Sequence, residues 1–319
     1  MKMVFVPYAL PLRRGVLVDR VDRFIAVVQL DGDREVRAHC INPGRMENFV
    51  VPGAVVWVRP EPPESRRALR WTWELIERDG VWCSTNTQRP NLIVGEALRN
   101  GAVSGIRGSA RAEVSVGKSR FDFCVGEHLI EVKNSHAVYS GWGYFPDSVS
   151  ERAARHCEEL GELASSRKCT VVIVAQREDA IHGIRSSWYH DPGFAEAALE
   201  ASRRGVEFRG LRVGCDPTGS TVLEEIPVDL RRPERADLVA VHRAWLKARP
   251  FTGWTRAFDG NPRRVANGPF KHNARLNLDD DDDEPRESPF FASEKRTRKR
   301  RYFAAAAAAA EDNHDHHHH

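Results

Sequence analysis

Glu113, Asp122, Glu131 and Lys133 are the residues whose types and spacing could do chemistry, the last two within Glu131-Val132-Lys133. Successive side chains of an extended strand alternate between its two faces. On 111–116, Val114 and Val116 take one face, which leaves Glu113 and Ser115 on the other. On 120–125, Phe121, Phe123 and Val125 share a face opposite Asp122, and on 129–133 Ile130 and Val132 leave Glu131 and Lys133 together. If these strands are neighbours, three carboxylates and an ammonium converge. Such a set suits phosphodiester hydrolysis. A hard divalent cation, Mg²⁺ or Mn²⁺, binds carboxylate oxygens, waters and substrate phosphate in an incomplete protein shell. It acidifies a bound water and offsets charge at phosphorus, while an adjacent lysine stabilises the attacking hydroxide. Taken alone, Glu-x-Lys on a strand is a weak signal, because the same pair forms solvated cross-strand ion pairs.

The elements around these residues strengthen it. Asn91 to Asn100, closed by Gly101, reads as a short helix with a glycine stop. The strands 111–116, 120–125 and 129–133 follow, and then a helix opened by Ser148-x-x-Glu151, with Val149, Ala153, Cys157, Leu160 and Ala164 on one stripe. Thr170 to Ala175 is apolar without alternation, as a strand covered on both faces would be. A helix over 194–204 and a strand over 206–208 close the set. The order is α-β-β-β-α-β, that of the PD-(D/E)xK nuclease-like core. Arg152 and His156 lie four apart on the helix after the site, where they could clamp a phosphate or pair with Glu151 and Glu159.

Ahead of this domain, 13–83 reads as short strands at 15–21, 23–30, 34–40, 54–58, 71–77 and 81–84, separated by turns such as Asp31-Gly32-Asp33 and Asn42-Pro43-Gly44. A small closed β-barrel fits. Alternation in Trp71-Thr72-Trp73-Glu74-Leu75 puts both tryptophans and Leu75 on one face, either filling the barrel or offering one ring as a base-stacking platform. His39 and Asn42 either close a turn or make a nucleic-acid or interdomain contact.

Several spaced motifs resemble one family, the sugar fermentation stimulation protein A family. They are His39-Cys40-Ile41-Asn42-Pro43-Gly44-Arg45-Met46, Thr72-Trp73-Glu74-Leu75, Asn86-Thr87, Arg120-Phe121-Asp122-Phe123, Glu131-Val132-Lys133-Asn134 and Gly143-Tyr144-Phe145-Pro146-Asp147 followed by Glu151-Arg152 and His156. They fall in the family's order across about residues 13 to 230. The resemblance implies an OB-type barrel over 13–88 joined to a PD-(D/E)xK nuclease-like domain over 89–230, an α/β chain in which Glu113, Asp122 and Glu131 hold Mg²⁺ or Mn²⁺. Asp122, Glu131 and Lys133 would then act in catalysis, and His39, Asn42, Arg45, Arg152 and His156 would meet nucleic acid. It also implies DNA binding and, in bacteria, a regulatory link to sugar metabolism. Arg45 stands where the family commonly has alanine, and His136 departs from its usual pattern after Asn134.

The expected activity is therefore DNA hydrolysis by a metal-dependent endonuclease. The alternatives are a non-catalytic DNA-binding regulator on the same scaffold, or an RNA-processing nuclease. Formal net charge is only +3, from Lys+Arg 48 against Asp+Glu 45, so any basic face is local. No apolar run approaches the ~20 residues of a membrane span, so no membrane partner is expected; a small-molecule cofactor is not expected either. The 6 cysteines lie far apart without zinc-ligand spacing and read as reduced, buried thiols of a cytoplasmic protein. The oligomeric state is left open. Residues 231–259 carry Leu238, Val241, Trp245 and Leu246 near helical spacing, which predicts one docking helix. Residues 260–319, with an acidic run at 279–284, a basic run at 295–301 and a histidine-rich end, predict a disordered tail. The basic run reads equally as a nuclear localisation signal or phosphate-binding tail, or as a solvated charge block.

Overall fold

The computed structural model describes residues 3–44, 46, 49–248, 254–258 and 261–265. Seven strands open the chain: β1 (Val4–Pro7), β2 (Arg13–Val21), β3 (Ile25–Leu30), β4 (Glu35–His39), β5 (Val55–Pro60), β6 (Trp71–Arg78) and β7 (Val81–Ser84). The strands β2 to β6 lie in the order β2-β3-β4-β6-β5, and β5 pairs back onto β2 to close an OB-type barrel. Leu17, Val28, Phe49, Val56, Val58 and Trp73 fill its interior. Each large side chain so buried contributes roughly 1.5–3 kcal/mol. Trp73 is fully buried and donates its Nε1–H to the Leu75 carbonyl, so it fills the barrel and offers no stacking face. Leu75 does not share its face. The β5–β6 register shifts between Trp57 and Val58, and Leu75 turns out of the barrel to pack with Ile93 and Val94 of the following domain.

That domain comprises α1 (Arg89–Arg99), β8 (Ala110–Val116), β9 (Ser119–Val125), β10 (His128–Ser135), β11 (Ala137–Tyr139), β12 (Trp142–Phe145), α2 (Glu151–Leu163), β13 (Cys169–Ala175), β14 (Gly183–Ser186), α3 (Pro192–Arg203), β15 (Glu207–Asp216), β16 (Gly219–Ile226) and β17 (Val228–Asp229). Its main sheet runs β1-β16-β15-β13-β10-β9-β8, with β13 parallel to both β10 and β15. β1 pairs with β16, so this strand belongs to the second domain's sheet although it precedes the barrel in sequence. Every residue of β13 is buried. Val172 and Val174 pack in the core that includes α1, whereas Val171 and Ile173 pack in the core that includes α2 and α3. A smaller sheet, β11-β12-β14-β17, flanks the main one.

Helix α2 starts later than the Ser148 pattern predicts. Ser150 is the N-cap, its side chain accepting the Ala153 N–H at 3.2 Å, and Val149, expected on the apolar stripe, is exposed. After the second domain, α4 (Arg235–Ala248) buries Leu238 and Trp245 among Tyr139, Tyr144, Trp188 and Tyr189. The strands β18 (Trp254–Phe258) and β19 (Asn261–Val265) form a hairpin that joins β2 through Thr255 and Val21. Residues 261–265, within the stretch most of which is expected to be disordered, are strand, because β18 supplies their pairing. The runs at 279–284 and 295–301 and the histidine-rich end lie outside the described residues, as does Arg45. Among the described residues no helix is long and apolar enough to cross a membrane, and Cys40, Cys83, Cys124, Cys157, Cys169 and Cys215 are free and buried.

Candidate active site

The site forms where two strands part. β9 and β10 pair only as far as Phe123 and Ile130. At the next position Asp122 Oδ2 accepts the Val132 N–H at 2.8 Å, so a side-chain carboxylate takes the place of a backbone carbonyl. The alternation of β9 breaks there. Phe123 and Val125 pack in the core beside α1, but Phe121 packs with Ala153 and Cys157 of α2. The expectation that Phe121 shares a face with Phe123 and Val125 is thus overturned. β8 breaks at the same level: Ala110 packs toward α1 and Val114 and Val116 toward α2, with Glu113 between them at φ 55. Such paired face reversals re-aim side chains at a sheet edge.

Asp122 is also held from the other side, where Asn91 Nδ2 of α1 donates to Oδ1 at 2.9 Å. Glu131 and Lys133 point from β10 toward α2. Glu131 is 3% exposed; its Oε2 lies 2.7 Å from His156 Nδ1 and 4.0 Å from Lys133 Nζ, and Lys133 Nζ lies 3.1 Å from His156 Nδ1. Despite the short approach of His156, Glu131 Oε2 is a buried oxygen without a formed hydrogen bond.

The two carboxyls lie near enough to shift one another. Burial, then the neighbouring Glu131 carboxylate, pushes Asp122 up to about 7. For Glu131, burial acts upward, but the close His156 ring, the neighbouring Asp122 and the Lys133 ammonium together bring it down to about 2. The pair thus favours the charge on Glu131 over Asp122. A buried oxygen lacking a partner beside a second carboxylate of raised pKa is a donor set suited to a hard divalent cation, which needs only one or two protein carboxylates when phosphate and water complete the shell. Asp122 and Glu131 fit that role.

Other expected residues fall elsewhere. Glu113 is turned to solvent and pairs with Arg120 at 2.9 Å, with both side chains more than half exposed. It stands at the positive φ of the β8 reversal, and among the described residues no three His, Cys, Asp or Glu side chains gather as a metal-binding group. Arg152 is exposed, but His156 is buried. The two do not form one surface: His156 belongs to the inner stripe with Ala153 and Leu160, and it serves the carboxylate and lysine. Asn42 is 3% exposed and closes its own turn by accepting the Gly44 N–H at 2.8 Å. His39 is half-buried on β4, in register with Ile25 and Thr72, and its pKa is lowered by burial and then by the Arg67 charge. Asn91 was not foreseen as a site residue. Its only sequence signal is its place at the start of a helix whose first turn faces the β9 reversal.

Comparison with known proteins agrees with this architecture. Residues 18–85 match the family model described as SfsA N-terminal OB domain, and residues 88–219 match that described as sugar fermentation stimulation protein RE domain. Similar curated proteins include the sugar fermentation stimulation protein homolog of Methylobacterium nodulans, 38% identical over 231 residues, covering 68% of this chain and 97% of that one. The homolog of Paramagnetospirillum magneticum is 38% identical over 232 residues, covering 70% and 98%. Among solved structures, that of Pyrococcus furiosus SfsA in complex with Ca²⁺ superposes with a TM-score of 0.64 at 24% identity, covering 70% of this chain and 98% of that one. At that identity the likeness is one of fold.

Proposed function

Because this chain belongs to the sugar fermentation stimulation protein (SfsA) family, we propose that it is a Mg²⁺-dependent endonuclease that binds DNA and hydrolyses its phosphodiester bonds. The observation that carries this reading is the parting of β9 and β10 with Asp122, Glu131 and Lys133 at the opening, Glu131 keeping one buried oxygen unsatisfied. The Pyrococcus furiosus protein is a complex with Ca²⁺, which supports a hard divalent cation in this family. Asp122 and Glu131 would hold the ion, which when bound supplies charge to the phosphate and acidity to water.

The chain's own groups do the rest. Lys133, held at 3.1 Å by His156 and beside the Glu131 charge, presents ammonium protons to a phosphate oxygen or to the attacking hydroxide. Asn91 and the Val132 N–H hold both oxygens of Asp122, which fixes the carboxylate before substrate arrives. Arg152, exposed in the first turn of α2 and without an ion pair among the described residues, is placed to meet backbone phosphate. The barrel grips the strand.

One observation favours a second reading, a DNA-binding regulator that retains the scaffold without cutting. Glu113, the third expected ligand, is engaged by Arg120 outside the cluster. Cleavage of single- and double-stranded DNA and RNA by the pure chain, with Mg²⁺, Mn²⁺ or chelator and with Asp122→Ala alongside, separates the readings. Metal-dependent cutting lost in the variant supports the nuclease, and its preferred polymer names the substrate. Binding without cutting leaves the regulator.

A further inference from the structure

The segment that joins the barrel to the second domain is a hub whose arms end at the active site. Glu74 of β6 is 1% exposed, yet its carboxylate lies inside the molecule between domains. Asn86 Nδ2 donates to both of its oxygens, at 3.1 and 3.0 Å, and Arg59 Nε donates to Oε1 at 3.0 Å. A buried carboxylate satisfied this fully is costly to displace, because moving either partner leaves it unpaired. Asn86 is thereby pinned to the barrel.

Two arms leave Asn86. Its Oδ1 accepts the Gln88 N–H at 2.9 Å, a turn that sets the entry of α1. Three residues further on, Asn91 donates to Asp122. On the other arm the Asn86 carbonyl accepts Gln176 Nε2 at 3.1 Å, and that same nitrogen donates to Asn134 Oδ1 at 2.9 Å, next to Lys133. The Gln176 N–H holds the Ser135 carbonyl at 3.2 Å, and its own carbonyl lies 3.4 Å from the Ser84 nitrogen as acceptor. Gln176, fully buried at the end of β13, therefore ties the linker to the strand that carries Lys133.

We propose that Asn86, anchored by Glu74, is a positioning residue that sets Asp122 through Asn91 and Lys133 through Gln176 and Asn134, so that the placement of the barrel determines the geometry of the site. This rests on the nuclease reading for the roles of Asp122 and Lys133, but the coupling itself can be measured without turnover. The Val132 amide is the reporter, since its N–H is held by Asp122 Oδ2.

The experiment is residue-resolved hydrogen exchange on the full chain, without nucleic acid, for the wild type, Asn86→Ala and Asn91→Ala, followed by cleavage kinetics of Gln176→Leu. Asn91 is exposed, so its variant keeps the test open if Asn86→Ala fails to fold. Both alanine variants are expected to speed Val132 exchange by roughly tenfold while the Val172 amide in the middle of the sheet keeps its protection. Gln176→Leu is expected to lower kcat about tenfold with KM for duplex DNA within about twofold. Unchanged Val132 exchange in folded Asn86→Ala or in Asn91→Ala, or acceleration of all core amides in parallel, overturns the proposal. If the wild type cuts no nucleic acid, the nuclease reading falls, and the exchange result still decides the coupling.

Discussion

Arg20 in the barrel and Glu131 in the second domain are both charged and almost fully buried, and the structure treats them in opposite ways. The Arg20 guanidinium is spent on backbone: Nε donates to the Arg23 carbonyl at 2.7 Å, one terminal nitrogen to Gly44 at 2.9 Å and the other to Asn42 at 2.8 Å. It fastens the 42–44 loop to the β2–β3 turn, with the loop backbone so close to Asp147 that a Cβ at Gly44 would lie 3.6 Å from its carboxylate. Glu131 keeps an oxygen without a hydrogen bond beside a lysine and a histidine. Burial of charge alone does not mark function. A buried charge whose bonding is complete builds the fold, and one left incomplete is available for a ligand.

The largest test of that contrast lies in the second domain. Asp122→Ala should cut metal-dependent cleavage on the order of 1,000-fold, and Lys133→Ala by about 100-fold or more, with DNA affinity largely retained. Single-turnover cleavage and filter binding on the same preparations measure both. Affinity lost in step with turnover would sink the catalytic role of Lys133.

Arg20→Met should act on the other side of the contrast. Three carbonyls lose their donor, so the variant should be about 3 kcal/mol less stable in urea unfolding, while kcat measured well below its melting point stays within about twofold of wild type. A collapse of kcat in the folded variant would erase the distinction between the two buried charges.

A smaller effect concerns the contact between the 42–44 loop and the second domain. Asp147 pairs with His136 Nε2 at 3.0 Å. Burial acts to raise its pKa, but the His136 and then His190 imidazoles hold it down to about 2, below its ordinary 3.8. A carboxylate depressed on folding adds stability that is full above the unfolded pKa and lost as pH falls through the folded one. Urea unfolding of wild type and Asp147→Asn should therefore differ clearly just above pH 4 and converge between about pH 4 and pH 2. A difference that grows as pH falls from about 4 to 2 would contradict the sign.

The smallest expected change is in binding. Arg152→Ala should weaken DNA binding severalfold and reduce the slope of log affinity against log salt by about 1. Fluorescence anisotropy across a salt series reads it, and an unaltered slope would remove Arg152 from the phosphate contacts.

Much of the fold and part of the site were legible in residue patterns. Apolar β13 buries all of its residues, as an unbroken hydrophobic run predicts, and Glu131 and Lys133 share a face because nothing interrupts the alternation of β10. Where backbone geometry departs from regularity, the pattern misleads. Phe121 and Leu75 each left the face that alternation assigned them, one at the β9 reversal and the other after the β5–β6 register shift. His156 shared a helix with Arg152, but only the position of α2 against the sheet decided that it meets Glu131 rather than phosphate.

By itself, then, the sequence determined which chemical groups exist and which short segments carry them: a barrel, an α-β-β-β-α-β core, two acids and a lysine on adjacent strands. These depend on local periodicity and turn chemistry, which act over a few residues. Tertiary structure alone decided that β1 enters the second sheet, that Glu113 faces Arg120, that Asn91 holds Asp122, and that Gln176 bridges Asn86 and Asn134. Those contacts join residues far apart in the chain, and their geometry follows from strand divergence and domain packing, neither of which has a local signature.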